Sequence, residues 1–314
     1  MRNLIKFAGL LLLNLIAYKN ACSQGCSDAG FCTAGALKPN TANKAQSQGF
    51  LGLSMGFGLG EQNVSTYNVQ FEPQFKVNDL TSVQIKIPFV ANSGKLGKTQ
   101  GLGDVILTCN YNLDSVLHKK AMLVIGTRIA TGTASLKSNN IALPMPYQIS
   151  LGTTDLIIGT RFNLPKKFIA TFAYQQPLWS RNQNGFDSAA FFTTGAFYNL
   201  TEEQNYFLSA NLKRRGDILL RIERPFSFKK SILTVGVLPI YHLGQDKADV
   251  VKGKSVKIKN SQGLTLNLNG IYTLNINDHT EFNLILAAPL IVRSSRPDGL
   301  TRSAIINAGL KYFL

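Results

Sequence analysis

Residues 67–90 read Tyr67-Asn68-Val69-Gln70-Phe71-Glu72-Pro73-Gln74-Phe75-Lys76-Val77-Asn78-Asp79-Leu80-Thr81-Ser82-Val83-Gln84-Ile85-Lys86-Ile87-Pro88-Phe89-Val90. In the first arm Tyr67, Val69, Phe71, Phe75 and Val77 are apolar, and Asn68, Gln70, Glu72, Gln74 and Lys76 are polar. Asn78-Asp79 signals a turn, after which Val83, Ile85, Ile87 and Phe89 alternate with Gln84 and Lys86. Successive side chains of a strand point to opposite faces, so a period of two predicts a hairpin with one apolar face. Whatever covers that face decides the architecture.

The same alternation continues on both sides. It covers residues 51–59, 105–113, 123–129, 156–164, 168–174, 264–274, 282–290 and 306–314, and more weakly 189–200, 206–213, 218–226 and 232–242. With the hairpin arms that makes fourteen candidate strands and no convincing amphipathic helix. The connections alternate too: short at 78–81, 114–119, 165–166, 201–204, 228–230 and 275–279, long at 91–101, 132–153, 179–187, 244–261 and 293–301. An even strand count with short and long connections in turn predicts an all-β transmembrane antiparallel barrel, with lipid over the apolar face and no free edge. About fourteen strands are expected, or twelve if 206–226 is a loop excursion. A secreted β-sandwich or solenoid is the alternative; it would show turns of similar length at both ends and would have no reason to finish on a strand. The last strand, 306–314, resembles the signal by which the barrel assembly machinery recognises its clients, although Leu314 stands where a terminal aromatic is usual.

The first 23 residues read as a signal peptide: Arg2 and Lys6, an apolar stretch 7–18 too short to span a bilayer, then Ala21-Cys22-Ser23. A lipoprotein acylated at Cys22 is the competing reading. Residues 24–48 are rich in Gly, Ala, Ser and Asn, without a sustained period, and form a short plug-like segment ahead of the barrel at 49–314. Within it Cys26 and Cys32 suit a small disulfide loop in an oxidising compartment. A zinc site is disfavoured because no His or second Cys pair lies nearby. Cys109 falls on an apolar face and reads as a small hydrophobe.

The 314 residues carry a net charge of +16, but their Lys and Arg are scattered singly, so no nucleic-acid partner is expected. By parity Lys76, Lys86, Arg128, Arg161, Lys213, Arg221 and Lys311 face the lumen against Glu72, Asp155 and Glu223. That excess is either an ordinary hydrated interior or a preference for anionic solutes. Four prolines, Pro88, Pro177, Pro239 and Pro289, precede long loops and are expected on the lumen side, as rim features or, at Pro88, as a kink opening the wall. No enzyme or cofactor is expected. Gly52-Leu53-Ser54-Met55-Gly56 matches a nucleophile-elbow pattern but lies inside a continuous strand, not at a strand–turn–helix junction. The three histidines, His118, His242 and His279, read as solvated turn or rim residues.

Ser82-Val83-Gln84-Ile85-Lys86-Ile87-Pro88-Phe89, Gly101-Leu102-Gly103-Asp104, Gly152-Thr153-Thr154-Asp155-Leu156 and Pro297-Asp298-Gly299-Leu300 give the chain a resemblance to the outer-membrane transporters of long-chain fatty acids and aromatic hydrocarbons. It more closely resembles the barrel group associated with the phenol-degradation meta-pathway, over roughly residues 49–314. The resemblance implies a 14-stranded barrel, a lumen plugged by the N-terminal segment, and a hydrophobic substrate leaving sideways through the wall. No match to the family's plug motif is visible, so no ligand pocket carries over. The expectation is a monomeric channel in the outer membrane of a Gram-negative bacterium, surrounded by lipid and lipopolysaccharide, passing a hydrophobic or anionic small solute. The alternatives are a general or anion-selective porin, or a structural or adhesive barrel working through its loops.

Overall fold

The computed structural model describes residues 37, 47–117, 120–186, 206–250, 254–300 and 302–314. The long strands are β1 (Gly49–Gly60), β2 (Ser65–Lys76), β3 (Thr81–Gly94), β4 (Gly97–Leu102), β5 (Val105–Asn112), β6 (Ala121–Ile129), β9 (Thr153–Asn163), β10 (Ile169–Ser180), β11 (Asp217–Ser227), β12 (Ser231–His242), β15 (Gly263–Asn275), β16 (Thr280–Ile291) and β17 (Arg302–Phe313). Two small hairpins, β7 (Lys137–Ser138) with β8 (Ile141–Ala142) and β13 (Lys247–Val250) with β14 (Lys254–Lys257), belong to the long connections. Every long strand except β4 joins one ring, twelve strands in all: β17 pairs with β1, and β2 with β3.

The barrel therefore has twelve strands, not fourteen. Residues 189–200 lie outside the described residues. Residues 206–213 form irregular backbone with one bridge from Lys213 to Lys247. β10 pairs directly with β11, so no strand of the wall stands between them. An alternating stretch can satisfy its backbone in a loop layer as well as in a wall, and period alone does not separate the two.

β4 continues β5 along β3. The pairing slips by one residue between Lys86↔Ile106 and Phe89↔Leu102, a bulge at Gly103–Asp104. Pro88 sits at this handover, its carbonyl accepting the Gly103 N–H at 2.8 Å while Pro88 pairs with Gln70 on the other side. The wall is thus continuous at the expected kink. Pro177 and Pro289 lie beside bulges, as their missing N–H favours. Pro239 corrects an expectation: it follows buried Leu238 and precedes buried Ile240, which places it on the outer face.

The burial pattern is inside out for a soluble protein. Outward residues are large and apolar, Met55 being 65% exposed, while inward residues such as Glu72, Gln84, Thr108, Asp155, Glu223 and Asn267 are buried. Exposed Phe75, Tyr111, Phe226, Phe228, Tyr272 and Tyr312 gather toward the short-turn end, and Tyr67, Phe89, Trp179 and Tyr241 toward the long-loop end. An apolar belt between two aromatic girdles is the surface a bilayer requires. Cys109, the cysteine among the described residues, is free and lies on this belt. The signal peptide and the Cys26–Cys32 loop fall outside the described residues.

Ile125 lies mid-strand in β6 and is 49% exposed. Ile125→Arg is expected to cost about 2–4 kcal/mol of barrel stability in vesicles, as a cation does at a bilayer midplane. Denaturant unfolding of the reconstituted protein measures it; a neutral result would mean that this face meets water.

Candidate functional site: the lumen and its loop cap

One side of the lumen is apolar. Ile106 (β5), Val124 (β6), Ile157 (β9), Ala173 (β10), Leu219 (β11), and Leu238 and Ile240 (β12) point inward and form one buried cluster. Its eighth member is Leu37, from the segment ahead of the barrel and fully buried. Its Cδ2 lies so near Gly159 that a Cβ there would approach to 2.7 Å, and its carbonyl accepts a hydrogen bond from Arg221. The opposite side mixes small, polar and apolar residues. Gly52, Leu53, Ser54, Glu72, Ile271, Asn283, Ile285, Asn307, Gly309, Leu310 and Lys311 line a cavity of roughly 460 Å³, open mouth included. Ser54 of the nucleophile-like motif thus belongs to the wall of β1, with six more strand residues after it rather than the turn into a helix that a nucleophile elbow needs.

The lumen charges come mostly in pairs. Arg128 reaches Asp155 at 2.5 Å and Thr153 at 3.0 Å, with Asp104 4.0 Å away, and Gln175 donates to Asp155. Arg221 lies 3.9 Å from Glu223, which also accepts from Asn269 at 3.2 Å. Lys311 lies 3.8 Å from Glu281 and over the Phe50 ring at 4.8 Å. Lys86 and Glu72 are buried, and Arg161 is half-buried. Two expected lumen cations lie elsewhere. Lys76 is at the short-turn rim, paired with Asp79 at 2.7 Å; Lys213 is exposed in the loop layer. Removing these two and adding Asp104 and Glu281 leaves five cations against five anions, so the basic excess that parity suggested disappears.

The long connections close the other end. Val64, Leu143, Tyr147, Phe186 and Tyr206 form one buried cluster; Met145, Leu151, Leu212 and Ala248 form a second. Inward-facing Asn92 donates to the Tyr147 and Gln148 carbonyls at 3.2 Å, so the 130–152 connection is held inside the rim. Gly299 needs its left-handed backbone (φ +62°) and lacks room for a side chain: a Cβ would lie 2.4 Å from the Pro146 nitrogen.

Between the clusters lies a buried ionic network that sequence reasoning missed. Asp298 accepts from Arg214 at 3.0 Å and from Arg293 at 2.5 Å. Arg214 also holds Asp217 at 3.0 Å. His242 bridges Asp217 at 2.6 Å and Asp246 at 2.8 Å, one ring nitrogen to each. Arg293 lies 3.7 Å from Asp246 and donates to the Ser261 carbonyl at 2.8 Å. His242 is therefore fully buried, not solvated, and two carboxylates on its two nitrogens favour the doubly protonated ring. With that charge the six groups balance, three cations against three anions. Burial pushes the Asp298 carboxyl up, but Arg293 and Arg214 overcome it and hold the group below the ordinary carboxylate range. Alongside, Arg296 pairs with Glu61 at 2.5 Å, yet burial outweighs the pairing and raises Glu61 to about 6. Of the other histidines, His279 stacks on Tyr312 in a short turn, and His118 lies outside the described residues. The motif Pro297-Asp298-Gly299 was the available signal: its acid and its glycine both serve the cap.

No family model and no curated protein matches the chain. Among solved structures it is similar to the COG4313 outer membrane channel from Pseudomonas putida F1, with TM-score 0.57 and 12% identity over 88% of this chain and 100% of that one. A NanC porin structure aligns with TM-score 0.47 and 9% identity over 84% of this chain and 100% of that one. At 12% identity the first likeness is one of fold. A closed antiparallel barrel with an apolar belt between two aromatic girdles belongs in the outer membrane of a Gram-negative bacterium.

Asp298→Asn removes the charge that two buried arginines share, a change expected to cost about 3–5 kcal/mol locally. Hydrogen exchange should show the cap residues near 206–217 and 293–299 losing protection, with barrel strands unchanged. Glu61 adds a pH dependence. Its carboxyl is raised from 4.5 to about 6, so its contribution to cap stability is full below about 4.5 and is lost as pH rises through about 6. The Val64 amide, bonded to the Glu61 carbonyl, should open less often at pH 5 than at pH 7.5 after correction for intrinsic exchange. Glu61→Gln should flatten that difference.

Proposed function

We propose that this chain is a plugged outer-membrane channel for small hydrophobic or aromatic molecules. The observation that carries the reading is Leu37, seated on the apolar side of the lumen and held there by Arg221. A wide aqueous porin has no use for an inward-facing cluster of Ile, Val and Leu, because apolar surface facing water is costly. Here, among the described residues, Leu37 of the segment ahead of the barrel packs on that surface. Displacing the segment uncovers a surface suited to an apolar ligand, beside polar groups that could orient it. The paired lumen charges weigh against the anion-selective porin, since a ring of unopposed cations is what biases permeation.

A sideways exit, if the channel uses one, is better placed between β16 and β17 than at Pro88. That ladder ends at Ala287↔Ile305, so Ala288, Pro289 and Ile291 pair with β15 but not with β17, and Leu290 and Ile291 are exposed there.

The test is planar-bilayer recording with the mature protein, with Leu37→Asp and with a variant lacking residues 24–48. The wild type should conduct poorly, the deletion should raise conductance several-fold, and Leu37→Asp should flicker between the two levels. Flux of toluene into proteoliposomes should fall when Ile157 and Leu219 are changed to Asn. A large ohmic anion current from the wild type, unchanged by the deletion, would instead identify a porin.

A further inference from the structure

The outer face of the loop cap carries a row of cations that the folded chain holds against their repulsion. Lys213 and Lys247 exchange both backbone hydrogen bonds, at 2.8 and 3.1 Å, and so stand directly opposite each other. Lys247 is in turn opposite Lys257 across the β13–β14 hairpin. Residues opposite each other in a sheet share a face, and the Lys247↔Lys257 pair is of the closer, non-hydrogen-bonded kind. Like charges so placed are destabilising. Burial shows which way the row points. Leu212, Arg214 and Ala248 are buried toward the cap interior, whereas Lys213, Arg215 and Lys257 are exposed and Lys247 is half-exposed. Among the described residues this face holds one acid, Asp249, which accepts a hydrogen bond from Asn211 at 2.9 Å. None of the three lysines has an ion-pair partner among the described residues.

The row sits just above the membrane. Arg215 and Lys213 lie two and four residues beyond the first residue of β11, at most ~7 and ~13 Å at ~3.3 Å per residue. Exposed Trp179 on neighbouring β10, and Tyr241 on β12, mark the interface below them. That is the level of the outer-leaflet head groups. We infer that Lys213, Lys247 and Lys257, with Arg215 beside them, form a docking site for the phosphate groups of lipopolysaccharide. Bridging phosphates convert mutual repulsion into shared attraction, and the flat three-strand row suits a multiply charged lipid surface better than one small anion in a pocket. This site is independent of the lumen and of the channel reading.

The test uses the full mature chain in zwitterionic nanodiscs, with bisphosphorylated lipid A and its dephosphorylated form as probes, and native mass spectrometry reading the lipid retained. Wild type should prefer the bisphosphorylated form. K213Q/K247Q/K257Q should weaken its binding on the order of a hundredfold, about fivefold per lysine near an anionic surface. K166Q/K167Q, at the opposite end of the barrel, should bind as wild type does. In detergent without lipid A the triple variant should melt no lower than wild type, because its loss relieves repulsion. If the triple variant does not fold, K257Q alone should still show the fivefold loss and a shallower salt dependence. Equal affinity of variant and wild type, indifference to the lipid phosphates, or full displacement by millimolar inorganic phosphate would overturn the assignment.

Discussion

Hydrocarbon offers no partner for a backbone amide, and this structure depends on that fact. Each strand must find a neighbour on both sides, which only a closed ring provides. Closure then dictates the rest. The apolar side chains go out to lipid and the polar ones go in, where they are withdrawn from water by one another. The barrel is narrow enough that its inward residues touch across strands, so the interior behaves as a polar core with pairing requirements. Arg128 with Asp155 and Gln175, and Glu223 with Asn269, answer those requirements.

The wall was readable in the sequence because its signal is local. Tyr67 to Phe89 show which face meets lipid from their own alternation, and ten other strands read the same way. Of the charges that parity sends to the lumen, Lys213 lies in the loop layer and Lys76 at the rim. The pairing of the lumen charges was not readable. Arg128 and Asp155 meet through the register of β6 on β9, and Glu281 meets Lys311 through β16 on β17. Register is set by the closed ring, which no single strand encodes. The count of strands failed for a related reason: a stretch such as 206–213 alternates because one side faces the cap interior, and a cap interior imposes the same period as a wall.

The cap was the least legible part. Its decisive groups are scattered from Glu61 to Asp298, and each looks unremarkable alone. His242 is the clearest case. Sequence places it at the end of a strand, where a solvated ring is the ordinary outcome; burial against Asp217 and Asp246 follows only once β11, β12 and the loop after β12 are brought together. The short motifs behind the family resemblance point to the same places. Asp104, Asp155 and Asp298 are all buried acids that hold loops or the rim, and Gly152 and Gly299 adopt left-handed backbone beside them. What those motifs encode is the anchoring of the connections to the barrel.

The two closures of the proposed channel therefore differ in kind. The loop cap rests on six mutually buried charges and two apolar clusters, and breaking one buried ion pair there costs about 3–5 kcal/mol because its partner is stranded. The described hold on Leu37 is one apolar side chain, about 1.5–3 kcal/mol of burial, and one hydrogen bond from a charged donor, about 1.5–3 kcal/mol. Its release strands less, since Arg221 keeps Glu223 3.9 Å away. A ligand that competes for the apolar side of the lumen replaces the first contribution directly. In the proposed channel the difference therefore lies in replaceability: a ligand can take over the apolar contact that Leu37 makes, whereas nothing small replaces the partners of the buried charges in the cap.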